Sequence, residues 1–150
     1  MKKIMMTSST KTYDQDFALW VEENIALLKA KNYDAVDWDN LIEEVEGLTR
    51  SDKRELENRL TTLFEHALKR RYVPLPDCYR GWELTLIRTQ QSLEQILLDS
   101  PSLRNYLLGI KSKCYQNALK NTRKEYDTVF PDRLPFSEDI DQLLIEEFWL

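Results

Sequence analysis

The chain's only histidine, His66, stands seven residues after Arg59. A histidine can give and take protons near neutral pH, and an arginine stays charged and can steady an anionic phosphate. Together they could act on a phosphodiester. The spacing argues against close cooperation. On one helix, seven residues rise roughly 10 Å. The steps Glu55–Arg59, Thr62–His66 and His66–Arg70 are each four residues, so these side chains can meet along one flank. The plainer expectation is a boundary histidine hydrogen-bonded to a neighbour.

A second group is acidic: Asp37, Asp39, Glu43, Glu44 and Glu46. Helical bundles bind metals through inward glutamates and Glu-x-x-His motifs. No such motif occurs here, and carboxylates in early helical turns also favour the helix dipole. No metal and no cofactor is therefore expected. Cys78 and Cys114 lack metal or redox spacing and read as reduced thiols. The sequence has no Gly-rich phosphate loop, GxSxG or Cys/His nucleophile pair, which argues against nucleotide-driven and hydrolase chemistry.

The third signal is charge. The net charge is −5, which disfavours general nucleic-acid binding. Residues 101–130 carry six basic against two acidic residues, a net +4, and residues 131–150 carry one against six, a net −5. The basic segment, with Lys113, Lys120 and Arg123, could bind an acidic partner or RNA. The plainer account packs the acidic last helix near the basic one.

The elements that would hold these residues are helical. With 3 Gly and 5 Pro in 150 residues, the chain has few of the turns that a β protein needs. Apolar residues recur at three- and four-residue steps in every long segment. Asp14 is expected to cap a first helix with Phe17, Trp20, Val21, Asn24, Leu27 and Leu28 on its stripe, ending near Lys31-Asn32. A second helix, capped by Asp37 or Asp39, carries Trp38, Leu41, Ile42, Val45 and Leu48. Gly47 is expected to weaken or end it, and Thr49 to restart a third through Leu56, Leu60, Leu63, Phe64, Ala67 and Leu68. Whether the second and third are continuous stays open.

Val73-Pro74-Leu75-Pro76 ends the third helix, and a fourth is expected from about Arg80. Ser100-Pro101 signals the start of a fifth, and Ser137 the cap of a short last one. The expected fold is all-α, an antiparallel helical bundle of five to six helices. Residues 1–12 are read as a disordered tail and 13–150 as one helical domain. Trp20, Trp38 and Trp82 should anchor the core. The apolar tip at Phe148-Trp149-Leu150 should fold back rather than stand in water. No apolar run reaches the roughly 20 residues that span a bilayer, so no membrane partner is expected.

Several of these residues carry a family resemblance over about residues 13–150. They are Tyr13-Asp14-x-Asp16-Phe17-x-x-Trp20, Asp37-Trp38-x-Asn40-Leu41-x-Glu43-Glu44-x-Glu46, His66-x-Leu68-Lys69, Ser100-Pro101-Ser102-Leu103 and Phe148-Trp149. In this order they resemble domain-of-unknown-function family twenty-nine, common in cyanobacteria. The resemblance implies a compact helical fold and a bacterial cytoplasmic protein, and it supplies no activity. Separately, the Arg59–His66 interval of six intervening residues is similar to the outer limit of the spacing in HEPN ribonucleases. Those sites are usually built by dimers, and here Leu60 follows the arginine where a polar residue is expected.

With good folding signals and no convincing catalytic group, the leading expectation is a non-enzymatic interaction or regulatory module. Its partner is expected to be another protein. A homo-oligomer is compatible with it. The alternatives are the Arg59/His66 ribonuclease and a carboxylate-bound metal protein.

Overall fold

The computed structural model describes residues 8–150. The tail expected over residues 1–12 falls outside the described residues as far as residue 7. Ser8–Gln15 form a helix, α1. The further elements are α2 (Phe17–Lys29), a 3-10 turn (Tyr33–Ala35), α3 (Trp38–Tyr72), α4 (Pro76–Asp99), α5 (Leu103–Glu125) and α6 (Ile140–Ile145). The fold is all-α, and no strand occurs among the described residues. The chain divides into two compact units, one up to Arg50 and one from Ser51 to Leu150.

In the first unit, the cap of α2 is Asp16 rather than Asp14. Its carboxylate accepts from the Leu19 N–H at 3.1 Å, satisfying a donor left open at the helix start. The helix closes on a Schellman-type turn. Asn32 N–H donates to Leu27 O, Lys31 N–H donates to Leu28 O, and Lys31 takes φ 59°, the left-handed position usually given to glycine. The helix end expected near Lys31-Asn32 is thus made by those residues.

α3 runs unbroken for 35 residues, so the expected second and third helices are one. Gly47 does not end it. A helix interior tolerates a single glycine at a cost of about 1 kcal/mol when the flanking turns are sound.

The second unit is a helical bundle. Val73–Leu75 and Ser100–Ser102 are short connections that reverse the chain, so α4 runs antiparallel to α3 and α5 alike. α3 and α5 therefore run side by side in the same direction. Their register is constant. Glu57 meets Lys113, Glu65 meets Asn121 and Lys69 meets Glu125, each 56 residues apart. Leu56, Leu60, Leu63, Phe64, Ala67 and Leu68 of α3 are at most 1 % exposed, as their spacing predicts. They join Leu86 and Leu93 of α4 and Leu107, Cys114 and Ala118 of α5 in one core. Each large side chain removed from water contributes on the order of 1.5–3 kcal/mol.

The chain end completes that core. Trp149 is buried and packs edge-on against Phe148, which meets Phe136 in turn. Gln90 holds the segment in place by donating to Leu143 O and Glu146 O, both at 2.9 Å. The fold-back expected of the tip is present for Phe148 and Trp149.

Two start signals act a few residues from where the sequence puts them. Ser100 is the C-cap of α4 and α5 begins at Leu103, because Pro101 and Ser102 are spent in the turn. Asp139, not Ser137, caps α6 by accepting from Asp141 N–H at 2.9 Å, while the Ser137 hydroxyl accepts from Asp139 N–H. α4 starts four residues earlier than Arg80, with Pro76 at its first turn, where a missing N–H costs nothing.

Of the three tryptophans expected in the core, Trp20 is buried and Trp82 is half-buried against Tyr79 and Tyr126. Trp38 is not a core residue. It is 44 % exposed, and its Nε1–H donates to Tyr33 O at 2.8 Å. It begins α3, with the Tyr33 ring 6.4 Å from its own.

Candidate interaction surface

In the first unit, α2 and the opening turns of α3 are tied by one polar clasp. Trp20 Nε1–H donates to the Asp37 carboxylate at 2.9 Å. Asn24 donates through Nδ2 to Trp20 O and accepts from Asp37 N–H, both at 2.9 Å. Asn40 Nδ2 donates to the same Asp37 oxygen at 2.8 Å. Asn24 and Asp37 are buried, and buried polar groups hold only when paired in this way.

The clasp sets two apolar faces beside each other. Phe17, Val21, Ile25 and Leu28 of α2 face Leu41, Val45 and Leu48 of α3 across an open groove of about 340 Å³. Trp20 and Asn24 also line it. Phe17 stacks on Trp20 at 5.6 Å, and Tyr13 meets Trp20 edge-on at 4.8 Å.

Glu44 lines the same groove and accepts the Tyr13 hydroxyl. That hydrogen bond to a carboxylate, with burial and the Glu44 charge, raises the phenol to about 12.

Four of the apolar side chains on this face, Phe17, Ile25, Val45 and Leu48, remain largely in water. Ile25 is 45 % exposed, Val45 57 % and Leu48 67 %. Scattered exposed leucines are ordinary, but a contiguous apolar face is not. The sequence reading placed Ile42, Val45 and Leu48 on a stripe like any other core stripe. The signal that separates them is the polar run Thr49–Glu55, which holds no apolar residue between Leu48 and Leu56.

The other sequence-derived candidates are placed as follows. Arg59 is exposed and pairs with Glu55 at 3.5 Å. His66 is half-buried, and its Nδ1 lies 2.9 Å from Thr62 O. A carbonyl only accepts, so the ring carries its proton on Nδ1. Burial lowers the imidazole pKa below its usual value, against a smaller opposing effect of that hydrogen bond. The two side chains bond to different partners and are not brought together.

Lys113 pairs with Glu57 at 2.7 Å, and the hydrogen bond raises the ammonium pKa. Arg123 pairs with Asp132 at 2.6 Å and donates to Phe130 O. Lys120 stands at a polar cleft with Glu57, Glu65 and Asn121. The acidic end of the chain lies along α5. Arg104 pairs with Asp141 at 2.7 Å, and Lys111 donates to Glu138 O. The opposite charges of residues 101–130 and 131–150 thus meet within the second unit.

The early carboxylates are also engaged. Asp37 serves the clasp, and Glu43 and Glu46 pair with Arg50 at 3.0 and 3.7 Å. Among the described residues no group of three His, Cys, Asp or Glu is placed to hold a metal ion. Cys114 is buried and its thiol pKa is raised by that burial; Cys78 is exposed near the start of α4. No helix among the described residues is long and apolar enough to cross a membrane.

These features define an all-α protein with a clasped apolar groove in one unit and a three-helix core in the other. The chain belongs to the family described as domain of unknown function DUF29, whose model matches residues 12–149. No curated protein and no solved structure matches it.

Proposed function

We propose that this protein is a non-enzymatic interaction module that docks another protein on the groove between α2 and the start of α3. One observation carries the reading: Phe17, Ile25, Val45 and Leu48 line a single apolar groove while each keeps 45 % or more of its surface in water. Leaving such a face wet forgoes roughly 25 cal/mol for every Å² that a partner would cover. The surrounding clasp fixes the groove's shape, so docking orders little chain.

The reading assigns no catalytic step to Arg59 or His66, whose side chains serve Glu55 and Thr62. It assigns no docking role to Lys113 or Arg123, whose charges are paired within the unit. The test is affinity capture from native lysate on the immobilised full chain, beside a Val45→Asp/Leu48→Asp variant. A partner identified on the wild-type chain and lost on the variant supports the reading. Identical captured proteins on both would overturn it.

A further inference from the structure

Resting on that docking reading, we infer that the groove takes a basic amphipathic helix from another protein. The first unit is far more acidic than the rest of the chain. Residues 1–50 hold ten acidic residues against six basic ones, a net −4, while residues 51–150 hold sixteen against fifteen, a net −1. Glu22 and Glu23 lie on the side of α2 turned away from the groove, three residues from Ile25 and Trp20. Glu44 lines the groove itself.

An apolar groove lined by Glu44, in a unit of net −4, complements a helix with apolar residues on one face and lysines or arginines beside them. This is the helix-in-groove mode, read as anchors at i, i+3 or i+4, and i+7. The groove's length fits such a segment. From Phe17 to Leu28 the α2 axis rises about 16 Å, so a partner helix of about three turns would fill it. A second copy of this unit would bring −4 against −4 and be repelled. An anionic lipid surface would be repelled in the same way.

The experiment titrates the full chain with three synthetic peptides of about 14 residues: a leucine–lysine amphipathic helix, its leucine–glutamate counterpart, and a leucine–lysine peptide of scrambled order. The leucine–lysine helix should bind in the micromolar range and the other two at least about tenfold more weakly. Raising salt should weaken its binding, because exposed charges are screened. Val45→Asp should weaken it about tenfold by placing a charge on the groove wall, and Glu22→Lys/Glu23→Lys by a similar factor through charge alone. Both sites in the second variant lie off the groove floor, so unchanged circular dichroism keeps that comparison valid.

Equal binding of the lysine and glutamate peptides, equal binding of the scrambled peptide, or no effect of either variant would overturn the inference. So would a wild-type dimer in sedimentation that Val45→Asp splits, since the occupant would then be a second copy. If lysate capture still yields a partner lost on Val45→Asp/Leu48→Asp while the lysine peptide shows no preference, the basic-helix assignment fails and the docking reading stands. If both experiments fail, both fall.

Discussion

The indole N–H of Trp20 and the carboxylate of Asp37 meet at 2.9 Å, and this bond joins α2 to the residue just before α3. It belongs to a network in which Asn24 and Asn40 bond to the same two residues or their backbone. The groove depends on it, because the spacing of α2 from α3 is set there.

Replacing Asp37 by Ala leaves the Trp20 indole N–H without its acceptor in a buried site and frees Asn40. An unsatisfied buried donor costs about 1–3 kcal/mol. Asp37→Ala should therefore lower the stability of the first unit by about 2 kcal/mol. Hydrogen exchange should show faster exchange in α2 and the start of α3, with α4 and α5 little changed. Uniform loss of protection across all helices would contradict the clasp's local role.

Two backbone positions invite stabilisation. A Cβ at Gly47 would meet only the Arg50 guanidinium, at 3.7 Å, and alanine is favoured over glycine in a helix interior by roughly 0.5–1 kcal/mol. Lys31 holds a left-handed conformation at φ 59°, which costs a non-glycine residue roughly 1 kcal/mol. Gly47→Ala and Lys31→Gly should each raise the unfolding free energy measured in urea, by less than about 1 kcal/mol. A fall in either would mean that the local geometry is not that of a simple helix interior or C-cap.

His66 gives a pH signature. Its pKa is lowered in the folded protein, chiefly by burial, so the unfolded chain takes up the proton first as pH falls. The sign follows from linkage: the stability is full above the ordinary value near 6.5 and declines as pH falls from there through the folded value. With no other histidine in the chain, this window belongs to His66. Unfolding measured between about pH 7.5 and 5.5 should show a decline that His66→Gln removes. The same decline in the variant would assign it elsewhere.

At the chain end, Trp149 fills the core beside Phe148 and is 1 % exposed. Trp149→Ala should cost about 3–5 kcal/mol, the usual penalty for emptying a buried aromatic site. Gln90→Ala should cost less, because Leu143 O and Glu146 O lose a donor but not a volume of that size. Thermal unfolding of the two variants checks the order.

The helical fold is legible in the sequence because periodicity reports which face of each helix is apolar. Leu56 to Leu68 show this directly: their three- and four-residue steps put every one of them in the core. Periodicity does not report what covers a face. Val45 and Leu48 follow the same steps as Leu60 and Leu63, yet their surroundings differ. Trp38 misleads for the same reason, being apolar in type but placed at a helix start where its N–H needs the Tyr33 carbonyl. Caps shift by a residue or two, as at Asp16 and Asp139, because neighbouring acceptors compete for the same open N–H groups. The charge pairing of α5 with the chain end is legible from the opposite signs of residues 101–130 and 131–150. The engagement of Asp37 by Trp20 is not, since it joins side chains 17 residues apart.

The central claim is that Val45 and Leu48 serve a partner rather than the protein's own core. Urea unfolding of a Val45→Gln/Leu48→Gln variant tests it directly, because glutamine keeps helix propensity and removes the apolar surface. The account predicts a stability change within about 0.5 kcal/mol, as for surface substitutions, while Leu60→Ala in the same assay loses about 2–5 kcal/mol. A loss in the glutamine variant comparable to that of Leu60→Ala would contradict the account.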